Sequence, residues 1–287
     1  MTTLLQVLLD GLQAGMLYAL IAAGLCLVWG VMDVLNFAHG EFLMVSMYAS
    51  YWMGFLWNVD PLVSWIGAGL FAFLLGVVVY KLVIARCLRG KSAMAVLLAT
   101  FGLSMVMKNV CLNRFSPNFR LLSGTWLDGK KLEVGGIIFS APQVVTSVFS
   151  VLVVLALYGF VRRTRTGWSI QATALDPEAA ELVGIDTEHV FLLVFGIGGA
   201  CLGIAGGLLP SYLATHPDVG TLFGLLSFVI VALGGFGSIP GTFAAALLVG
   251  LVEALAGFYV APVFKYVAVF SLYLVVILIR PRGLFGW

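Results

Sequence analysis

Asn36, His39 and Glu41 crowd into one short stretch, VLNFAHGEFLM, at positions 34–44. An imidazole that titrates near neutral pH and a carboxylate two positions on suit proton transfer or metal ligation. Either chemistry needs companions. The other two histidines, His189 and His216, are distant in sequence and no HExxH pair exists, so no zinc enzyme is expected. No GxSxG nucleophile is present. Arg89-Gly90-Lys91-Ser92 holds the Gly-Lys-Ser of a phosphate-binding loop. The first glycine of that loop would fall at Ala85, and no strand pattern precedes it, so this chain is not expected to bind nucleotide. Cys26, Cys87, Cys111 and Cys201 form no CxxC pair and are read as packing residues. The sequence therefore predicts no catalytic residue and no metal site. Two readings of the cluster remain, and they are compatible. Asn36 is placed to cap a helix beginning at Phe37, with His39 and Glu41 in its first turns, where the helix dipole favours a carboxylate. Alternatively, the cluster lines a pathway or gate between membrane helices.

The elements that must position these residues follow from composition. Of 287 residues, 62% are hydrophobic and 10% charged, with a mean hydropathy of +1.10. A water-soluble core of this length cannot bury that excess, so the chain is a polytopic membrane protein. The net charge of +2 is spread through short loops, which leaves no nucleic-acid footprint. No cleavable signal peptide is expected, because the first apolar run lacks a basic lead and continues too far. Apolar runs fall near 4–31, 37–57, 61–86, 92–112, 142–161, 190–213, 221–236, 242–260 and 262–280. The run at 221–236 is short and the run at 37 opens on polar residues, so each reads as a half-helix or re-entrant piece. The fold expected is all-α, a single membrane domain over 1–287 with eight or nine segments. Lys81, Arg86, Arg89 and Lys91, then Arg162, Arg163 and Arg165, then Arg280 and Arg282, belong on the cytoplasmic side. Nine segments put the N-terminus outside; eight require one to be re-entrant.

Two connections are long. Residues 113–141 are expected outside the membrane, with Asp128-Gly129 as a hairpin turn. Residues 162–189 are expected in the cytoplasm. There Asp176 reads as an N-cap, Pro177 and Glu178 as a first turn and Gly184 as a C′ residue, which predicts a helix at 177–183. Gly199, Gly203 and Gly207 recur every four residues and mark one helix face for close packing. Glu253 lies deep in an apolar run, where a carboxylate faces the bundle interior or water. Residues 18–45 and 223–249 share an interrupted pattern that sets His39–Phe42 opposite Pro240–Phe243. Paired interruptions point to a transport path. Asn36, His39, Glu41, Ser238, Pro240 and Glu253 are the residues expected to line it.

Five segments carry a resemblance along most of the chain: 33–44, 171–185, 196–207, the GGFGSIPG at 234–241 and the RPRGLFG at 280–286. Together they resemble the permeases of branched-chain (hydrophobic) amino acid ABC importers, LivH type. The resemblance implies an importer permease fold in a bacterial inner membrane. It implies a path shared with a second permease, of LivM type or an identical copy. It also implies two cytoplasmic ATPases that hold the ATP and Mg, and a periplasmic substrate-binding protein. Glu178-Ala179-Ala180 with Gly184 resembles the EAA-x3-G coupling motif of importer permeases, although Leu209-Pro210 comes too late to complete its longer form. Related systems carry urea or short amides, so the resemblance leaves the cargo open. A different class, an autonomous channel or ion-coupled carrier using His39, Glu41 or Glu253, is also compatible with the residues.

Overall fold

The computed structural model describes residues 2–90, 93–122, 125–134, 136–280 and 283–285. Lys91, Ser92, Pro281, Arg282 and Gly286, which carry parts of the Gly-Lys-Ser and C-terminal motifs, lie outside the described residues. The helices in chain order are α1 (Thr2–Met32), α2 (His39–Trp57), α3 (Pro61–Val79), α4 (Ala85–Arg89) and α5 (Ala93–Phe115). A π-helical turn, Tyr80–Ile84, makes α3 and α4 one continuous rod. After a hairpin of β1 (Lys131–Val134) and β2 (Ile137–Ser140) come α6 (Ala141–Arg163), α7 (Arg165–Leu175), α8 (Pro177–Leu182) and α9 (Thr187–Leu208). The chain closes with α10 (Val219–Gly234), α11 (Ile239–Tyr259) and α12 (Lys265–Ile279).

Among the described residues, seven helices are long and apolar enough to cross a membrane: α1, the α3–α4 rod, α5, α6, α9, α11 and α12. The eight or nine segments expected from apolar runs reduce to these seven plus two others. Those two are α10, with 16 residues, and α2, which has His39 and Glu41 at its start. They are the two segments the sequence marks as half-helix or re-entrant.

The packing is organised by small residues. A methyl group added at Gly199, Gly203 or Gly207 of α9 would sit 2.5 Å from Ala72 O, Ala68 O or Trp65 Cα of α3. The two backbones therefore approach along the face that the four-residue spacing predicts. Gly11 and Gly15 of α1 meet Gly250 and Ala246 of α11 in the same way. The centre belongs to α1 and α9, buried over 83% and 72% of their most apolar stretches, whereas α5 and α12 are buried over 17% and 6%.

Local side-chain caps start five of the helices, α3, α7, α8, α9 and α11. Asp60 caps α3 by accepting from Leu62 N at 2.9 Å, with Pro61 as the first helical residue. Its other oxygen accepts from Trp126 N at 2.6 Å and so ties the long 113–141 connection to the bundle. That connection holds a hairpin, but Asp128-Gly129 is not its turn. β1 and β2 pair with Val134 opposite Ile137, and Gly136, just before β2, has φ +80°. Asp128-Gly129 forms a separate turn before β1, closed by Lys130 N donating to Leu127 O at 3.1 Å. The 162–189 connection holds more structure than expected. α6 runs on to Arg163, and α7 begins at once, with Thr164 Oγ1 accepting from Gly167 N at 2.9 Å. A side chain at Gly167 would collide with Val161 O and Phe160 O, so glycine permits the sharp fold-back onto α6.

Candidate translocation site

Four of the six residues singled out in the sequence for the path, Asn36, His39, Glu41 and Glu253, are buried inside the bundle. α1 ends at Met32, and the backbone turns at Asp33 with φ +51°. Asn36 Oδ1 then accepts from Ala38 N at 3.1 Å, and Asn36 O accepts from His39 N at 3.2 Å. Asn36 thus closes a turn over 36–38, and α2 starts at His39, not at Phe37 as its capping position suggests. The reason is non-local: the Phe37 N–H donates to Thr100 Oγ1 of α5 at 3.3 Å, which holds Phe37 outside the helix.

His39 is buried, and its Nε2 lies 3.0 Å from Ile21 O of α1. Ile21 stands eleven residues before the end of α1, roughly 16 Å at helical rise. α2 therefore begins inside the bundle. Its first turn meets the first turn of α10, which also begins inside. Gly40 and Gly220 cross so closely that a methyl group on Gly40 would collide with Gly220 O. Two helix N-termini, each carrying about half a positive charge, abut there. Glu41 belongs to the same turn, is 5% exposed, and leaves Oε2 with no hydrogen-bond partner. That oxygen faces Gly220, 2.8 Å from where a Cβ would stand.

Glu253 occupies a second polar node. Its Oε2 accepts from the Tyr18 hydroxyl at 2.7 Å, and its Oε1 pairs with Lys265 Nζ at 3.1 Å. The node ties α1, α11 and α12 together. Tyr18 also meets Phe223 of α10 edge-on, with ring centroids 6.0 Å apart.

Ser238 and Pro240 do not join His39, although the repeated pattern pairs them. Ser238 caps α11 by accepting from Gly241 N at 3.2 Å, and Pro240 lies in the first turn. Both line a cavity of about 560 Å3 with Gly30, Arg162, Gln171 and Gly237, at the end of the bundle that carries the arginines. The element that abuts His39-Gly40 is Val219-Gly220. The echo between 18–45 and 223–249 misaligns because α10, not α11, starts inside the bundle.

The predicted short helix is present as α8, one residue shorter than expected. Asp176 Oδ1 accepts from Glu178 N and Ala179 N, both at 3.0 Å. At the other end Ile185 N donates to Ala180 O and Gly184 N to Glu181 O, with Gly184 at φ +88°. This is a Schellman closure, which a left-handed glycine makes cheap. Only Ala180 of α8 is buried, while Leu175, Leu182 and Val183 are among the most exposed apolar side chains.

Comparison with known proteins gives the family. Residues 7–279 match the model of the family described as branched-chain amino acid transport system / permease component. This chain belongs to that family. A relative is the high-affinity branched-chain amino acid transport system permease protein LivH of Salmonella typhimurium, 34% identical over 98% of this chain and 95% of that protein. BraD of Pseudomonas aeruginosa, described as the same kind of permease, is also 34% identical over 98% and 95%. Among solved structures, PsaBC from Streptococcus pneumoniae in complex with Fab superposes with a TM-score of 0.55, covering 97% of this chain and 94% of that one. At 13% identity this shows a shared fold. The permease is a multi-pass protein of the inner membrane.

Three features of the site were not anticipated. Tyr18 gives no sequence signal, since a tyrosine in an apolar helix is ordinary. α7 had one: Gly167, Ile170 and Thr173 recur at helical spacing and are the buried residues of that helix. The pair Lys108–Asp218, 2.6 Å apart, was legible in half. Lys108 stands alone within the apolar run at 92–112, but nothing in sequence points to its partner.

Proposed function

We propose that this permease is the membrane subunit of an ATP-driven importer of branched-chain and other hydrophobic amino acids. Asn36, His39, Glu41 and Glu253 stand along its translocation path, and Ser238 and Pro240 at its inner mouth. The observation that carries the reading is α8. A helix of six residues, capped at both ends by its own side chains and backbone, is a stiff body that exposes Leu182 and Val183 at its end. It leads directly into α9, with Thr187 Oγ1 donating to Glu181, and α9 is clamped to α3 by Gly199, Gly203 and Gly207. A push on α8 therefore moves two membrane helices together.

In this reading the end carrying Arg86, Arg89, Arg162, Arg163 and Arg165 is cytoplasmic. Two ATPase subunits dock there, around α8, and supply ATP and Mg. The hairpin lies outside, where a substrate-binding protein delivers cargo. A second permease, related or identical, completes the path. ATP-driven closure of the ATPases shifts the bundle between inward- and outward-open states. This chain performs no covalent chemistry.

The test is uptake by the assembled complex carrying Glu178→Lys or Gly184→Val. Both should reach the membrane and bind their ATPases, yet transport at less than about a tenth of the wild-type rate, the effect of losing one strong contact. Normal uptake by both would remove α8 from the coupling role.

A further inference from the structure

We infer that Lys108 and Asp218, backed by the buried carboxylate of Glu41, form the station at which this permease holds the carboxylate and ammonium groups of a zwitterionic amino acid in transit. The inference deepens the proposed function and rests on it. It starts from where the pair stands. Lys108 lies in α5, seven residues before its end at Phe115, roughly 10 Å into the helix. Asp218 directly precedes α10, two residues from the Gly40–Gly220 crossing that begins inside the bundle. Yet the Asp218 side chain is 67% exposed and that of Lys108 31%. A lysine can extend toward a membrane surface, but an aspartate has a single methylene and cannot. Next to it the backbone is irregular over 212–218. Lipid does not tolerate an exposed carboxylate and irregular chain at that depth, so this face borders a water-filled path.

The charges at this place sum to a dipole with little net charge. Lys108 and Asp218 cancel. The abutting N-termini of α2 and α10 contribute about half a positive charge each, which offsets Glu41. Asp218 makes no side-chain cap on α10 because its carboxylate is engaged by Lys108. The site therefore offers one strong donor and one exposed acceptor, with the unpartnered Glu41 oxygen buried behind them at the Gly40–Gly220 crossing. A zwitterion satisfies it: the substrate carboxylate meets Lys108 and the ammonium meets Asp218, with the buried charge of Glu41 behind them. Apolar surface continues from the pair. Met105 and Phe101 lie three and seven residues back on the same face of α5, and both are exposed. Phe101 meets the exposed Phe37 edge-on at 6.2 Å. This shelf suits a hydrophobic side chain and would reject a charged one.

The experiment is leucine uptake by the complete importer in liposomes, with the amount of assembled complex as the folding control. Asp218→Asn and Lys108→Met should each raise the KM for leucine about tenfold or more, the loss expected for a charge-assisted hydrogen bond. The exchanged variant, Lys108→Asp with Asp218→Lys, separates recognition from structure. A pair that only staples α5 to α10 would regain uptake on exchange. A recognition site would not, because the exchange puts a cation at the positive end of α10. Leucine uptake that is unchanged in both single variants, or restored by the exchange, overturns the inference and leaves the importer reading intact. A wild-type complex that moves amides but no amino acid overturns the amino-acid cargo, and this inference with it.

Discussion

Lys265→Met is the sharpest test of the Glu253 node. Lys265 Nζ and Glu253 Oε1 are 3.1 Å apart, with side-chain exposures of 35% and 11%. Coulomb's law at that separation gives roughly 5 kcal/mol of gross attraction at an effective dielectric near 20. Breaking a fully buried pair costs about 3–5 kcal/mol, because the remaining charge is stranded. The partial exposure of Lys265 lets solvent screen it, so the net cost should fall to about 1–3 kcal/mol. Glu253 keeps its bond from Tyr18, which limits the loss further. For a chain of this size that corresponds to a fall in Tm of roughly 2–5 °C. The assay is thermal unfolding of the detergent-solubilised permease, followed by tryptophan fluorescence. A double-mutant cycle with Glu253→Gln should return a coupling energy of about 1–2 kcal/mol, since Gln still accepts from Tyr18. An unchanged Tm in Lys265→Met, or strict additivity in the cycle, would refute the claim that this pair holds α11 against α12.

Other outcomes follow from the same geometry. Gly203→Leu, which forces a side chain into Ala68 O of α3, should separate α3 from α9 and cost about 3 kcal/mol or more, read as loss of folded protein in a detergent stability assay. Asp60→Ala removes the acceptor for Leu62 N and Trp126 N together. It should cost about 1–3 kcal/mol and speed proteolysis within 117–130, which gel analysis of timed digests would show.

The helix around Pro177 shows how much was legible and why. Asp176, Pro177 and Gly184 act on backbone within a few residues of themselves, so a chain read in one dimension contains the whole cause of α8. The glycine face of α9 is similar, because one period encodes one packed surface. The start of α2 is different. It depends on Thr100 accepting from Phe37 N, sixty-three residues away, and no local pattern announces that bond. Gly40 and Gly220 are ordinary glycines until two helices cross at them.

Read along the chain, the residues were enough for the class of the molecule, its apolar helices and the capped helix Pro177–Leu182. Each is a local or compositional property, set by hydropathy, helical period and capping chemistry. The folded bundle added that α2 and α10 meet at their first turns, that Glu253 belongs with Tyr18 and Lys265, and that Asp218 faces Lys108 on an exposed flank. Those pairings join residues up to 235 positions apart. The physical reason is that small residues let helices approach anywhere along their length, so periodicity names the face but not its partner.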